Sequence, residues 1–279
     1  MHATVGVNTM ATDIIPASRR GEGFGIFTAS TSAAMAIGPS IALMMYENGI
    51  GFNTIFVTAS SIGLLGFISA SLIKAPRRDA FSQRGFSAKS LLLAVAVPEA
   101  AIMALLAFGY GIVTVYLSVY AKEEVGITSG TGFYFTILAA GLVVSRLMSA
   151  ALLRNKRYIK IFSIGIACVI VSFFIVAFIH NPVAFFSSAV FMGIGYGLIT
   201  PTAQTMIVNM AQDTERGIAN ATYLTFFDIG VGSGVFVGGI IAQHLNYSAS
   251  YAFSLLLSLC AMAYLHLFIK GHFNSRRLR

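Results

Sequence analysis

Residues 19–45 read "RRGEGFGIFTASTSAAMAIGPSIALMM". Two arginines and a glutamate lead into a stretch, Phe24 to Met45, that holds no charged side chain. A helix of about 20 apolar residues, at about 1.5 Å each, covers the hydrocarbon core of a bilayer. The stretch is therefore long enough to span. Gly38-Pro39 falls in its middle, where a proline removes a backbone donor and clashes with the preceding turn, at about 3 kcal/mol in water. A break of that kind needs a setting in which small residues and a bend are useful.

The composition supplies the setting. Of 279 residues, 57% are hydrophobic and only 10% charged, and the mean hydropathy is +0.81. Soluble globular chains carry about 25% charged residues. This chain cannot build a polar surface, so lipid must be the solvent for most of its outside. The net charge of +8 does not indicate nucleic acid, because the basic residues sit in short clusters between apolar runs. Cys168 and Cys260 lie inside apolar runs without disulfide or metal spacing, and read as small packing residues. No signal peptide with a cleavage site precedes the first span.

Eight runs are long enough to cross a membrane: Phe24 to Met45, Phe52 to Ile73, Ser90 to Tyr120, Phe133 to Leu153, Ile159 to Ile179, Val183 to Met210, Ile218 to Gln243 and Ser250 to Ile269. Thr200-Pro201 predicts a kink or early unwinding in the sixth. The connectors alternate in charge. One set is "IIPASRRGEG", "KAPRRDAFSQRGFSAK", "RNKRYIK", "AQDTERG" and the tail "KGHFNSRRLR"; the other is "YENGIG", "AKEEVGITSG", "HNP" and "HLNYS". Apart from Arg146, Lys122 is the only lysine or arginine outside the first set. The positive-inside rule places that set and the C-terminus in the cytoplasm. The first eleven residues, "MHATVGVNTMA", reach about halfway across a bilayer and read as the second half of a helix. The expected fold is an all-α polytopic membrane protein with eight full spans plus a partial N-terminal helix.

An internal repeat is present. "RRGEGFGIFTASTSAAMAIGPSIAL" pairs with "ERGIANATYLTFFDIGVGSGVFVGG", aligning Arg20-Gly21 with Arg216-Gly217 and Gly38 with Gly234. Both copies have the same orientation, the parallel repeat of a transporter built from two similar halves. Helices in lipid associate through close packing of small residues. Gly230, Gly234 and Gly238 recur every four residues and make one smooth face; Ala34, Gly38 and Ala42 do the same in the first copy, where Pro39 adds a bend. Two uses of these faces are open: tight packing of static helices, or the seam on which two halves rock.

These motifs resemble the major facilitator superfamily. The Gly38-Pro39 segment is similar to the fifth-helix motif of its drug and proton antiporters, G-x-x-x-G-P-x-x-G-G, with Ala34 and Ala42-Leu43 in place of the flanking glycines. "FGYGIVTVYLSVYAKE" resembles the seventh helix of bacterial efflux members. "GIGYGLITPTAQTMIVNMAQDTERGIANATYLTFFDIGVGSG" resembles the tenth and eleventh helices. "AGLVVSRLMSAALLRNKRYIK" resembles the loop signature after the eighth, with Arg146 matched and Ala150, Arg154 and Arg157 replacing other members. The resemblance implies residues 1–73 as the remnant of an N-terminal bundle, 74–89 as a cytoplasmic linker and 90–279 as a C-terminal six-helix bundle. About three and a half helices would precede Met1.

Ionisable groups inside a membrane are costly and are functional candidates. Glu99, Arg146 and Asp228 stand at similar expected depth, between the midplane and the inner face, so Arg146 is placed to pair with Glu99 or Asp228. A carboxylate that gains and loses a cationic partner is a proton carrier; a permanent pair is a packing device. The resemblance implies that the seventh and tenth helices line a cavity, making Tyr110, Thr114, Tyr116, Tyr196, Thr200 and Gln204 candidate lining residues. Tyrosine and glutamine suit amphipathic ligands. His180 and His244 are expected at the outer ends in water, and His266 at the inner interface. "GIGYG" lacks the Lys-Ser/Thr of a phosphate loop and reads as packing.

The expectation is a secondary transporter of the bacterial cytoplasmic membrane, not an enzyme. It takes a small organic substrate and protons, sits in lipid, needs no cofactor or metal, binds no nucleic acid and is monomeric. Drug or small-molecule efflux by alternating access leads; uptake of a sugar or organic acid, and a membrane fragment that transports nothing, stay open.

Overall fold

The computed structural model describes residues 37–72, 92–153, 157–212 and 215–277, with Ser30 and Ala34 singly, and the backbone alone at 150–153. The chain's first eleven residues and the expected linker 74–89 lie outside the described residues. Among the described residues there is no strand, and seven helices are long and apolar enough to cross a membrane. The helices are α1 (37–47), α2 (Phe52–Ser71), α3 (Val97–Glu123), α4 (Gly132–Leu153), α5 (Tyr158–Phe178), α6 (Pro182–Asn209), α7 (Arg216–His244), α8 (Tyr247–Tyr264) and α9 (Lys270–Arg276). A π-helical turn, Leu265–Ile269, joins α8 to α9 without a break, so the last span is one rod, Tyr247–Arg276.

The helix ends follow local chemistry. Asn181 and Asn246 cap α6 and α8, their side-chain oxygens accepting from Ala184 N at 2.8 Å and Ala249 N at 2.7 Å. Pro182 opens α6, where its missing N–H costs nothing. Helix α3 starts later than the apolar run from Ser90 suggests. Residues Ala94–Ala96 form a 3₁₀ turn, Pro98 takes the second helical position, and Leu93 N donates to Thr222 Oγ1 at 2.8 Å. Pro201 does not unwind α6, which continues to Asn209.

Helices α3 to α9 pack into one bundle, with α4 and α5 against α6, α3 against α7, and α8 against α5 and α3. Glycines set the closest approaches. A Cβ on Gly193 would meet Leu138 O at 2.3 Å, and one on Gly195 would meet Gly165 O at 2.9 Å. "GIGYG" is thus a two-sided packing surface, holding α4 on one side and α5 on the other. Helix α2 contrasts with this. None of its residues is buried, and Phe67 is 73% exposed.

The glycine face of α7 has a different use from the rocking seam. Gly230, Gly234 and Gly238 are buried against α3, facing Ala104, Phe108 and Ile112. In return, Gly111 of α3 meets Val231 O. The stripe locks two helices of the same bundle. Among the described residues and apart from its own helix backbone, Gly38 has no atom within 4 Å of its would-be Cβ, and it is exposed. Helix α1 instead touches the bundle through Ser40 beside half-buried Pro39, with Gly132 of α4 packed on Ser40, Leu43 and Met44. The alignment of the two copies therefore does not extend to what their small residues touch.

A Gly234→Ala substitution places its methyl at 1.9 Å from Phe108 O, a backbone atom that cannot move alone. It should cost about 1–3 kcal/mol, as overpacking does. Gly38→Ala should be neutral. Thermal melts of both variants in detergent, followed by size-exclusion chromatography, check the contrast.

Candidate functional site

Four helices bring polar side chains together at mid-depth. Arg146 is about 21 Å along α4 from Gly132, and Asp228 about 18 Å along α7 from Arg216. The half-buried Arg146 guanidinium donates to Thr200 Oγ1 at 3.4 Å, and Thr200 in turn donates to Tyr196 O at 2.9 Å. Tyr110 of α3 and Tyr223 of α7 are its electrostatic neighbours. Tyr223 in turn has two charged electrostatic neighbours, Arg146 and Asp228. An aromatic wall supports the group: Tyr110 stands 5.0 Å from Tyr196 and 6.0 Å from Phe227, and Phe227 stacks on Tyr223 at 6.3 Å. A cation ringed by phenols and a threonine can bind an oxygen-rich or anionic group through charge and hydrogen bonds, with ring faces for an apolar part.

The remaining lining candidates divide. Tyr196 is 2% exposed and its hydroxyl donates to Leu106 O at 2.5 Å, so it supports the site from behind. Tyr116 donates to Val235 O at 3.0 Å, tying α3 to α7 far from Arg146. Thr114 is exposed and donates to Gly111 O of its own helix. Gln204 donates to Asn220 Oδ1 at 2.9 Å, bridging α6 and α7.

The expected carboxylate partners of Arg146 are elsewhere. Asp228 is exposed on the face of α7 away from the glycine stripe, and makes no hydrogen bond or ion pair among the described residues. Glu99 is in the first turn of α3, because the helix begins only at Val97. That puts it about 36 Å from Glu123, at the end where the basic connectors lie, instead of near the midplane. It is nonetheless 2% exposed, and its Oε1 lies 2.9 Å from His272 Nδ1 of α9. Oε2 is buried without a hydrogen-bond partner among the described residues. The sequence offered no sign of this pair, since His272 sits in a tail that reads as a basic connector. His266 meets Ser163 Oγ at 3.1 Å, and His180 meets Ser248 Oγ at 2.7 Å.

At the opposite end, two glutamates cap helices distant in sequence. Glu124 accepts from Tyr247 N at 2.6 Å and from Ser248 N and Oγ, closing the start of α8. Glu47, the last residue of α1, accepts from Gly130 N at 2.8 Å, Thr131 N at 3.1 Å and Thr131 Oγ1 at 2.7 Å. Ser40 Oγ donates to Gly132 O at 3.1 Å, and Thr136 Oγ1 donates to Ser40 Oγ at 3.1 Å. Together these hold α1 on the start of α4. Burial pushes the Glu47 carboxyl up, but the Thr131 and Gly130 donors outweigh it and leave the group below its ordinary value of 4.5.

A bundle of close-packed apolar helices around a half-buried cation defines a polytopic membrane protein with an internal polar site. The sequence profile of the Major Facilitator Superfamily matches residues 3–203 and 156–278, and the chain belongs to that family. It is 22% identical over 253 residues to the "Uncharacterized MFS-type transporter YtbD" of Bacillus subtilis (strain 168). That match takes in 86% of this chain and 62% of the relative, so the chain spans less than two thirds of that protein's length. A bacterial homologue of the human lysosomal transporter Spinster, inward-facing and unoccupied, superposes with a TM-score of 0.64 at 14% identity, over 98% of this chain and 75% of that one. The E. coli Fucose:proton symporter FucP superposes with a TM-score of 0.58 at 17% identity, over 94% and 72%.

His272→Ala leaves a buried carboxylate without its partner and should cost about 1–3 kcal/mol of stability. In a Glu99→Gln background the same change should cost less than half as much. A double-mutant cycle of thermal melts in detergent measures the difference. Because the Glu47 carboxyl is held low, its contacts are fully made above the ordinary carboxylate value and are lost as pH falls through the lowered one. Spin labels at exposed Asn48 and Ser129 should report a short distance at pH 7 and a longer one well below pH 4.5. Glu47→Gln should give the longer distance at both.

Proposed function

We propose that the protein is a secondary active transporter that exports a small amphipathic organic molecule in exchange for protons. The observation that carries this reading is the mid-depth cluster of Arg146, Thr200, Tyr110 and Tyr223 beside the exposed carboxylate of Asp228. A cation and an acid are costly at that depth in lipid, and such groups point to function by default. Asp228 takes and releases the proton. Ionised, it is attracted to Arg146 across Tyr223; protonated, it is neutral and the attraction ends. The substrate's polar group meets Arg146 and Thr200, and its apolar part lies on Tyr110 and Phe227.

Residues 1–73 and 90–279 belong to two bundles that rock about this site, joined by 74–89. The basic connectors and the C-terminus face the cytoplasm of a bacterial inner membrane, supported by their separation from the acidic ends. The contact of Glu47 with Thr131 is then the closed outer face of the carrier, and it must part for the site to open outward. Export is supported by the resemblance of the Gly38-Pro39 segment to antiporters. The second reading, uptake of a nutrient with protons, is supported by the shared fold of the fucose:proton symporter.

Ethidium flux driven by an imposed proton gradient in everted membrane vesicles tests the proposal. Asp228→Asn and Arg146→Ala should each lower proton-linked flux at least tenfold at equal protein level. Full activity in Asp228→Asn would remove the coupling role. Gradient-driven ethidium accumulation in right-side-out vesicles would favour uptake.

A further inference from the structure

At the basic end, between α5 and α9, lies a cavity of about 250 Å³ that the transport cycle does not use. Its lining includes Arg157 and Lys160 from the start of α5, and Lys270, Asn274 and Arg277 from α9. Tyr158 and Phe273, both buried and edge-to-face at 5.7 Å, pack the two helices together at its floor. The four cationic side chains are exposed, and among the described residues none of them makes an ion pair. Among the described residues the carboxylate that α9 meets, Glu99, is taken by His272. The N-cap of α5 makes no side-chain capping bond, so the first N–H groups of a 21-residue helix add their partial positive charge to the same place.

Four like charges gathered with no ion pair among the described residues repel one another, and a seated anion relieves that repulsion. What distinguishes this cavity from a soluble-anion site is its surroundings. One turn toward the membrane centre from Lys160 is Ile164, 45% exposed, and one turn from Lys270 in the same direction is Leu267, 86% exposed. Further along the same faces Val171 and Leu256 are also exposed. An exposed apolar strip thus begins one helical turn from two of the cavity's lysines and runs into the hydrocarbon. The ligand that satisfies both is an amphiphile with an anionic phosphate head and acyl chains. We propose that this cavity is a binding site for the headgroup of an anionic phospholipid, seated between Arg157, Lys160, Lys270 and Arg277 with its chains along Ile164 and Leu267.

This site would fasten α9 to α5 from the lipid side, opposite the Glu99–His272 contact that fastens α9 to α3. It stands on the charge and shape of one bundle and does not depend on the substrate or on transport. The cytoplasmic placement of the basic end matters for which leaflet supplies the lipid, and a detergent experiment is insensitive to it.

The test is native mass spectrometry of the purified, delipidated protein with added phosphatidylglycerol, phosphatidylcholine or inorganic phosphate. Retained phosphatidylglycerol, with little phosphatidylcholine, is expected for the wild type. The double variant Lys160→Ala/Lys270→Ala removes two exposed cations and should weaken phosphatidylglycerol retention roughly 30-fold, given the usual contribution of a lysine near an anionic lipid surface. Lys122→Ala, an exposed cation at the opposite end, should leave it unchanged. Equal retention by the double variant would overturn the proposal, as would phosphatidylcholine held as tightly as phosphatidylglycerol. Displacement of the lipid by an equal concentration of inorganic phosphate would overturn the lipid assignment and leave a soluble-anion site.

Discussion

Close approach of glycine backbones is the contact on which the rest of this structure depends. In lipid, apolar side chains gain nothing by leaving one apolar solvent for another, so helices must be held by packing itself. Gly230, Gly234 and Gly238 bring α7 onto α3 until a single added methyl would strike the Ala104 or Phe108 backbone or the Ile112 side chain. Gly193 and Gly195 do the same for α6 between α4 and α5. Those two contacts determine where the polar groups fall. With the glycine face of α7 turned inward to α3, the opposite face, carrying Asp228, turns out of the bundle. With α6 drawn against α4, Thr200 reaches Arg146.

The two ends of the bundle are held by different chemistry. At one, Glu124 and Glu47 each accept backbone N–H groups at the start of a helix distant in sequence. A carboxylate there is favoured by the unpaired N–H groups and by the helix dipole. At the other, a buried carboxylate meets a histidine, and cations that make no ion pair among the described residues line a cavity. An acid-capped end is sealed by hydrogen bonds within the chain. A cation-rich end leaves its charges available to what lies around it. The proposed direction of opening and the proposed lipid site both follow from that asymmetry.

Much of the fold was legible because the lipid constraint is severe. A span must be apolar over its whole length, so Tyr158–Phe178 and Pro182–Asn209 fall within a residue of the runs read from composition. The start of α3 was not, because Leu91 to Val97 is as apolar as the helix that follows, and only the Thr222 hydroxyl and Pro98 end the irregular entry. The site was legible as a set of residue types. Arg146, Thr200 and Tyr110 do converge, while Tyr116, Thr114 and Gln204 spend their polar groups on neighbouring backbone or on Asn220. Tyr223, His272 and Glu47 carried no pattern that separated them from ordinary interfacial residues.

The sequence by itself determined that this chain is a multi-span helical membrane protein, where nearly all of its spans lie and which end of each is basic. Hydrophobic length and charge placement are properties of single segments, and they survive without knowledge of any neighbour. The tertiary structure alone decided which face each helix turns to which partner. When every face of a helix is apolar, periodicity cannot distinguish the buried stripe from the lipid-facing one. Only the fit of backbone against backbone could assign the glycines of α7 to α3, leave Asp228 outside, and give Glu99 to His272 in place of Arg146.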